Sequence, residues 1–356
     1  MLRLNHRSDG KEMSETVPDT MRASVLIEPG TLVVEERPVP RPDRDEVLVK
    51  VSSVGVCGSD VHYFQEGRIG DFVVDAPLVL GHEAAGRIVA VGADVPESRI
   101  GRRVSVEPQH PSATSPQTLS GRYNLCPHMR FFATPPVDGA FAEYVTIQSH
   151  FAFDVPDSIS DDAAALMEPL SVGIAAARKA GITAGSRVLI AGAGPIGILA
   201  AQAARAFGAT EILVSDLDEN RRAQSREYGA TSILDPRTDD IAGLGLDVDV
   251  FLECSGATPA VLSGLAALGP GGRMVLIGMG ADEVSLPIPV IQNRELVVTG
   301  VFRYANTWPT AIDLVRTGRV DLDSMVTGHH DLDHVAEALI ESTRPAVLKT
   351  IVSPGL

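Results

Sequence analysis

From Ser24 to Val106 the apolar residues come in short runs that alternate with polar ones: SVLIE (24–28), TLVVEE (31–36), EVLVKVSSVGV (46–56), AAGRIVAVG (84–92) and RVSVEP (103–108). Pro and Gly separate them. A period near two predicts half-buried strands, arranged as a partly open β-barrel or roll. A Pro/Ser/Thr-rich lobe of little periodicity covers 107–139, and a helical stretch follows at about 160–180. The pattern then changes. VLIAG (188–192) is apolar without alternation, as a strand buried on both faces requires. Further strands are expected at 212–215, 250–253, 274–278 and 297–301, with helices at 196–207 and 219–228. Strands alternating with helices predict a doubly wound parallel sheet, the Rossmann fold of an α/β protein. After Phe302 the chain is mixed again, with helices at 310–317 and 332–341. The simplest topology inserts a dinucleotide-binding domain, 170–303, into a mainly β domain built from 22–169 and 304–356. Residues 1–21 read as a disordered extension, and there is no internal repeat.

Composition narrows the function. A chain of 356 residues suits two domains, and 44% hydrophobic with 4% aromatic residues suits a core of Val, Ile, Leu and Ala. The net charge of −16 repels nucleic acid and anionic membrane, so neither is an expected partner. It does not exclude an anionic cofactor, which local amides and helix dipoles hold. Three cysteines, Cys57, Cys126 and Cys254, form no disulfide framework and fit a reducing cytoplasm. The N-terminal segment has no apolar core of the kind a secretion signal needs. The longest uncharged run, between Glu253 and Arg273, carries five glycines and two prolines and cannot be a spanning helix.

Gly192-Ala-Gly194-Pro-Ile-Gly197 follows a strand and opens a helix, and the next strand ends in Asp216. In that context the three glycines permit a tight turn, backbone approach to a pyrophosphate and close helix–strand packing. Asp216 would accept the adenosine ribose hydroxyls and repel a 2′-phosphate, which favours NAD over NADP. Arg221 and Arg222 follow, where a side chain either meets solvent or pairs with a phosphate.

Three further stretches carry metal chemistry: Cys57-Gly-Ser59-Asp-Val-His62-Tyr63, Gly81-His82-Glu83 and Met167-Glu168-Pro169. Singly each has a bland explanation: a buried thiol, a surface histidine, an acid ending a helix. Together they offer a thiolate, an imidazole and two carboxylates, a set that suits zinc with one open position.

These residues resemble the zinc-containing, medium-chain alcohol dehydrogenase superfamily, in its sorbitol (L-iditol)/xylitol dehydrogenase branch. The resemblance runs from about Arg22 to the C-terminus through CGSDVHY (57–63), GRIGDFVV (67–74), LGHEAAG (80–86), GRYNLC (121–126), FFATPPVDG (131–139), EPLSVG (168–173), GAGPIG (192–197) and VFRYANTWP (301–309). It implies a GroES-like catalytic domain and NAD-linked oxidation of a secondary hydroxyl of a sugar alcohol to a ketose. By matching motif, Cys57, His82 and Glu83 would ligate zinc, with Glu168 beside it directly or through water. Ser59 and His62 would pass the proton, and Tyr63, Phe131, Arg303 and Tyr304 would line the substrate pocket. Gly192, Gly194, Gly197, Asp216 and Arg221 would hold NAD. The resemblance also implies a homotetramer, with a dimer as the alternative.

One feature departs from the pattern. Many relatives hold a structural zinc with four cysteines spaced C-x2-C-x2-C-x7-C, and here those positions are Ser112, Ser115, Thr118 and Cys126. One thiol and three hydroxyls do not make a structural zinc site, so one catalytic zinc per subunit is expected. Other readings stay open at this point: another zinc dehydrogenase, acting on threonine, an aldose or a simple secondary alcohol, or a non-catalytic dinucleotide-binding protein.

Overall fold

A computed structural model describes residues 17–355. Two sheets organise the chain. The first is mixed, in the order Ala152–Asp154, Arg103–Val106, Glu83–Val91, Glu46–Gly55, Lys349–Val352, Val326–His330, with Tyr144–Gln148 also paired to Glu46–Gly55. The hairpin Thr20–Glu28/Thr31–Pro38 packs beside it. Inward residues of these strands (Val25, Val47, Val49, Ile88, Val104) share a core with Leu80, Phe141 and Ile147. The alternating pattern read from the sequence is this inward face.

The second sheet has six parallel strands in the order Ser232–Leu234, Glu211–Ser215, Arg187–Ala191, Val248–Glu253, Leu268–Leu276, Val297–Gly300. Numbered within the sheet this is 3-2-1-4-5-6, the doubly wound order with its crevice beside the first strand. Val188 and Ile190 of the central strand face a core with Ile198, Leu199, Ile212, Val214 and Leu252, while Leu189 faces Leu213, Phe251 and Leu265 on the other side. Both faces are covered, so the strand has no polar alternation.

Several expectations shift in detail. Thr20 and Met21 already belong to the first strand, and residues 1–16 of the expected extension lie outside the described residues. The helix expected over 160–180 is two, Asp161–Ala165 and Met167–Ala180, joined at Leu166. Pro169 lacks the N–H that would bridge the first turn, so the helix restarts there. Helix Thr258–Ala267 was not expected, because Gly264 weakens its pattern; a Cβ at that position would stand 2.2 Å from the Phe251 ring. Helix Trp308–Arg316 lies beyond the last Rossmann strand yet packs on Met167–Ala180 and shares its core through Ala311. Among the described residues no helix is long and apolar enough to cross a membrane.

Candidate active site

Cys57 caps helix Gly58–Glu66 in extended backbone. Asp60, in the first turn of that helix and wholly buried, accepts the Cys57 N–H at 3.0 Å and the Gly81 N–H at 2.9 Å. It thereby ties the cysteine turn to the segment bearing His82, whose Nδ1 lies 3.6 Å from the same carboxylate. Glu83 pairs across the sheet with Gly55, the end of the strand that feeds Cys57. The thiol, the imidazole and the Glu83 carboxylate consequently lie within 4.8 Å of one another. Lys349 completes this arrangement: its Nζ donates to Glu83 Oε1 at 2.5 Å, to Oε2 at 2.7 Å and to the Val56 carbonyl at 2.9 Å. Burial lifts the Glu83 carboxyl, and the Lys349 ammonium pulls against that rise. Sequence reasoning missed Asp60 and Lys349. The C-x-x-D spacing of a capping box was a signal for the first. No local signal exists for Lys349, which is 266 positions from Glu83.

Glu168, in the first turn of helix Met167–Ala180, is buried and accepts the Tyr304 hydroxyl at 2.5 Å. Tyr304 is 1% exposed and its hydroxyl donates to Glu168. Burial, with the nearby Glu168 charge, pushes its phenol well up. Its neighbour Arg303 holds a left-handed backbone (φ +55°) and lays its guanidinium 3.9 Å over the Phe131 ring. That ring in turn lies 5.6 Å from the His82 ring. Burial draws the guanidinium below its ordinary range, with Tyr304 and Glu168 opposing. No protein hydrogen bond takes up its N–H groups among the described residues. Tyr63 is buried on the Cys57 helix, where burial raises its phenol against Thr134 and His82. Ser59 is half-buried in the first turn, and His62 is exposed one turn on, 3.5 Å from Glu66.

Gly192, at φ +93°, turns the chain out of strand Arg187–Ala191. A Cβ on Gly197 would stand 1.8 Å from the Gly192 carbonyl, so the turn and the helix Pro195–Ala206 close only with glycine there. Gly194 caps that helix, and nothing lies within 4 Å of where its Cβ would be. This opening at a helix N-terminus fits a pyrophosphate. Asp216 accepts the Ala193 and Asp218 N–H groups at 2.7 and 2.8 Å and keeps free lone pairs toward a cavity of about 510 Å³ shared with Gly192, Ile241 and Ser255. The Arg221 Nε donates to the Pro345 carbonyl at 3.1 Å. Buried Arg222 is not a solvated residue. It donates to the Asp216 and Leu217 carbonyls and to Asp235, bracing the turn that presents Asp216.

The lobe lacking its cysteines is closed by other means. The Ser112 N–H points to Cys126 Sγ at 3.3 Å, and the Ser115 and Thr118 hydroxyls meet at 2.8 Å.

Comparison with known proteins agrees with this layout. Residues 43–157 match the alcohol dehydrogenase GroES-like domain and residues 195–317 the zinc-binding dehydrogenase domain. The chain is 42% identical over 352 residues to the sorbitol dehydrogenase of Bacillus subtilis (strain 168), covering 96% of this chain and all of that protein. It is 41% identical over 348 residues to the sorbitol dehydrogenase of Bos taurus, covering 96% and 98%. An Escherichia coli oxidoreductase/dehydrogenase of unknown specificity superposes with a TM-score of 0.89 at 34% identity, covering 94% of this chain and 99% of that one.

Proposed function

The chain belongs to the zinc-dependent alcohol dehydrogenase family, on its sorbitol dehydrogenase branch, and from that premise we propose how its own residues carry out the reaction. It is an NAD-dependent zinc polyol dehydrogenase that oxidises a secondary hydroxyl of a sugar alcohol to a ketose. The donor set of Cys57, His82 and Glu83 fits a zinc ion with a position left for substrate. When bound, zinc supplies Lewis-acid activation of the hydroxyl and NAD accepts the hydride. Glu168, positioned by Tyr304, stands beside that centre. Ser59 accepts the hydroxyl proton while passing its own onward toward His62, which releases a proton at the solvent edge. Tyr63 and Phe131 wall the cleft. Gly192 and Gly197 close the turn so that the backbone at Gly194 receives the pyrophosphate, and Asp216 receives the ribose. We further propose a homotetramer acting in the cytoplasm, with the open edge strand Val297–Gly300 as one contact; light scattering that found a monomer would remove this part.

The observation that carries the substrate class is the Arg303 guanidinium, held over Phe131 beside His82 with no protein acceptor. A polyol supplies acceptors through hydroxyls remote from the reacting carbon; a simple alkanol does not. Arg303→Ala should lower kcat/KM for sorbitol or xylitol by about 2 kcal/mol, roughly thirtyfold, and leave 2,3-butanediol nearly unchanged. Equal losses on both substrates would end the polyol argument. In the same kinetic panel, Asp216→Ala should narrow the preference for NAD over NADP.

A further inference from the structure

The loop that carries Arg303 and Tyr304 is held by its backbone from the lobe that begins at Glu107. The Phe302 carbonyl accepts from Asn124 Nδ2 at 2.8 Å and the Tyr304 carbonyl from Gln109 Nε2 at 3.0 Å. The Asn306 N–H donates to the Tyr123 hydroxyl oxygen at 2.7 Å. The loop needs this restraint. Arg303 and Asn306 sit at φ +55° and +56°, a left-handed conformation that non-glycine residues keep only when their surroundings impose it.

Two of these arms end on one atom. Glu107 Oε1 accepts from Gln109 Nε2 at 2.9 Å and from the Tyr123 hydroxyl at 2.8 Å. Glu107 and Gln109 are both wholly buried, and Glu107 Oε2 and Gln109 Oε1 have no hydrogen-bond partner. Unpartnered buried acceptors cost stability, and apolar side chains of the same shape would avoid that cost. The pair is therefore a poor device for holding the fold together. It is a good one for fixing two backbone points on either side of the loop: a planar amide and a planar carboxyl leave little play between Tyr304 and Asn306.

We propose that Glu107 and Gln109 are positioning residues for substrate selection, setting the place of the Arg303 guanidinium over Phe131. This rests on the reading that Arg303 meets the remote hydroxyls of the substrate. Neither residue touches the reacting atoms; each acts through the loop.

The test compares Gln109→Leu, Glu107→Leu and Glu107→Gln. Gln109→Met, which keeps the volume and loses the amide donors, replaces Gln109→Leu if that variant does not fold. Loss of the Gln109 donors should lower kcat/KM for sorbitol about tenfold while 2,3-butanediol and NAD stay within about twofold. Glu107→Leu should behave the same way. Glu107→Gln keeps an oxygen acceptor for both arms and should stay near wild type. A second readout needs no substrate. Trp308, the single tryptophan, packs edge-on against Tyr304 with ring centroids 5.2 Å apart, so its fluorescence and acrylamide quenching follow the loop. Both should change in Gln109→Met and Glu107→Leu and not in Glu107→Gln. Equal losses on sorbitol and butanediol, unchanged tryptophan quenching, or a Glu107→Gln variant as impaired as Glu107→Leu would each overturn the proposal. A wild-type enzyme inactive on every polyol would instead overturn the substrate reading, and the Trp308 signal would then decide the positioning role alone.

Discussion

The proposed zinc centre and the cysteine-poor lobe both gather polar side chains around one thiol, yet they resolve their charges in different ways. At the centre, Cys57, His82 and Glu83 crowd together with Glu168 close by, and Lys349 bonds directly to Glu83 within this cluster. In the lobe, Ser115 accepts the Thr118 N–H at 3.2 Å while its hydroxyl meets the Thr118 hydroxyl, and Cys126 receives an amide. The four lobe positions bond to one another, and against the effect of burial these hydrogen bonds draw the Cys126 thiol below its ordinary range. What separates a metal site from a polar knot is thus surplus negative charge held in a fixed geometry, more than the number of nearby donors.

The largest effect should come from exchanging the two thiols in turn. Cys57→Ser should take zinc from one per chain to nearly none. It should cut kcat/KM by roughly three orders of magnitude or more, since the Lewis acid is worth several kcal/mol. Cys126→Ser should leave both quantities unchanged. Elemental analysis beside turnover decides it, and a loss of zinc in Cys126→Ser would erase the contrast.

A smaller effect is expected from making the lobe resemble the centre. The triple substitution Ser112→Cys, Ser115→Cys and Thr118→Cys should bind a second zinc per chain and raise Tm in zinc by about 5 °C. If the stoichiometry stayed at one, the lobe backbone would not present four donors tetrahedrally, and more than the residue types would distinguish the two regions.

The smallest effect concerns Glu107, a buried carboxyl with neutral donors only. Burial pushes it up to about 8 from an ordinary 4.5, with Tyr123 and Gln109 opposing and Glu168 adding to the rise. Because its folded value is raised, the folded state holds this proton where the unfolded chain has lost it. Stability from this group is fully present below about 4.5 and falls as pH rises to about 8, by at most about 1.4 kcal/mol per unit. Glu107→Gln should remove that slope, so its Tm should gain on wild type between pH 5.5 and 8. Parallel Tm curves for the two proteins would show that Glu107 is ionised throughout.

Local order decided what could be read without coordinates. The glycine turn at 192–197 and the acid after the next strand lie within one βαβ unit, so their spacing alone specifies turn, helix and cavity. The alternation in 24–106 and the unbroken apolar run at 188–192 follow directly from burial of one face or two. Cys57, His82 and Glu83 were legible as a donor set because each sits in a short motif. Other facts depended on contacts between distant parts of the chain. Lys349 reaches Glu83 only because strand Lys349–Val352 pairs beside Glu46–Gly55. Tyr304 meets Glu168, and Arg221 meets Pro345, because which neighbour a side chain meets is settled by packing and not by its own motif. The support of the Arg303 loop from Glu107 and Gln109 spans nearly 200 positions, with Gln109 and Tyr304 195 apart. Sequence periodicity records which residues face inward. The partner that a buried polar group finds there is a property of the assembled interior, where an unmet hydrogen bond is costly enough to select one arrangement.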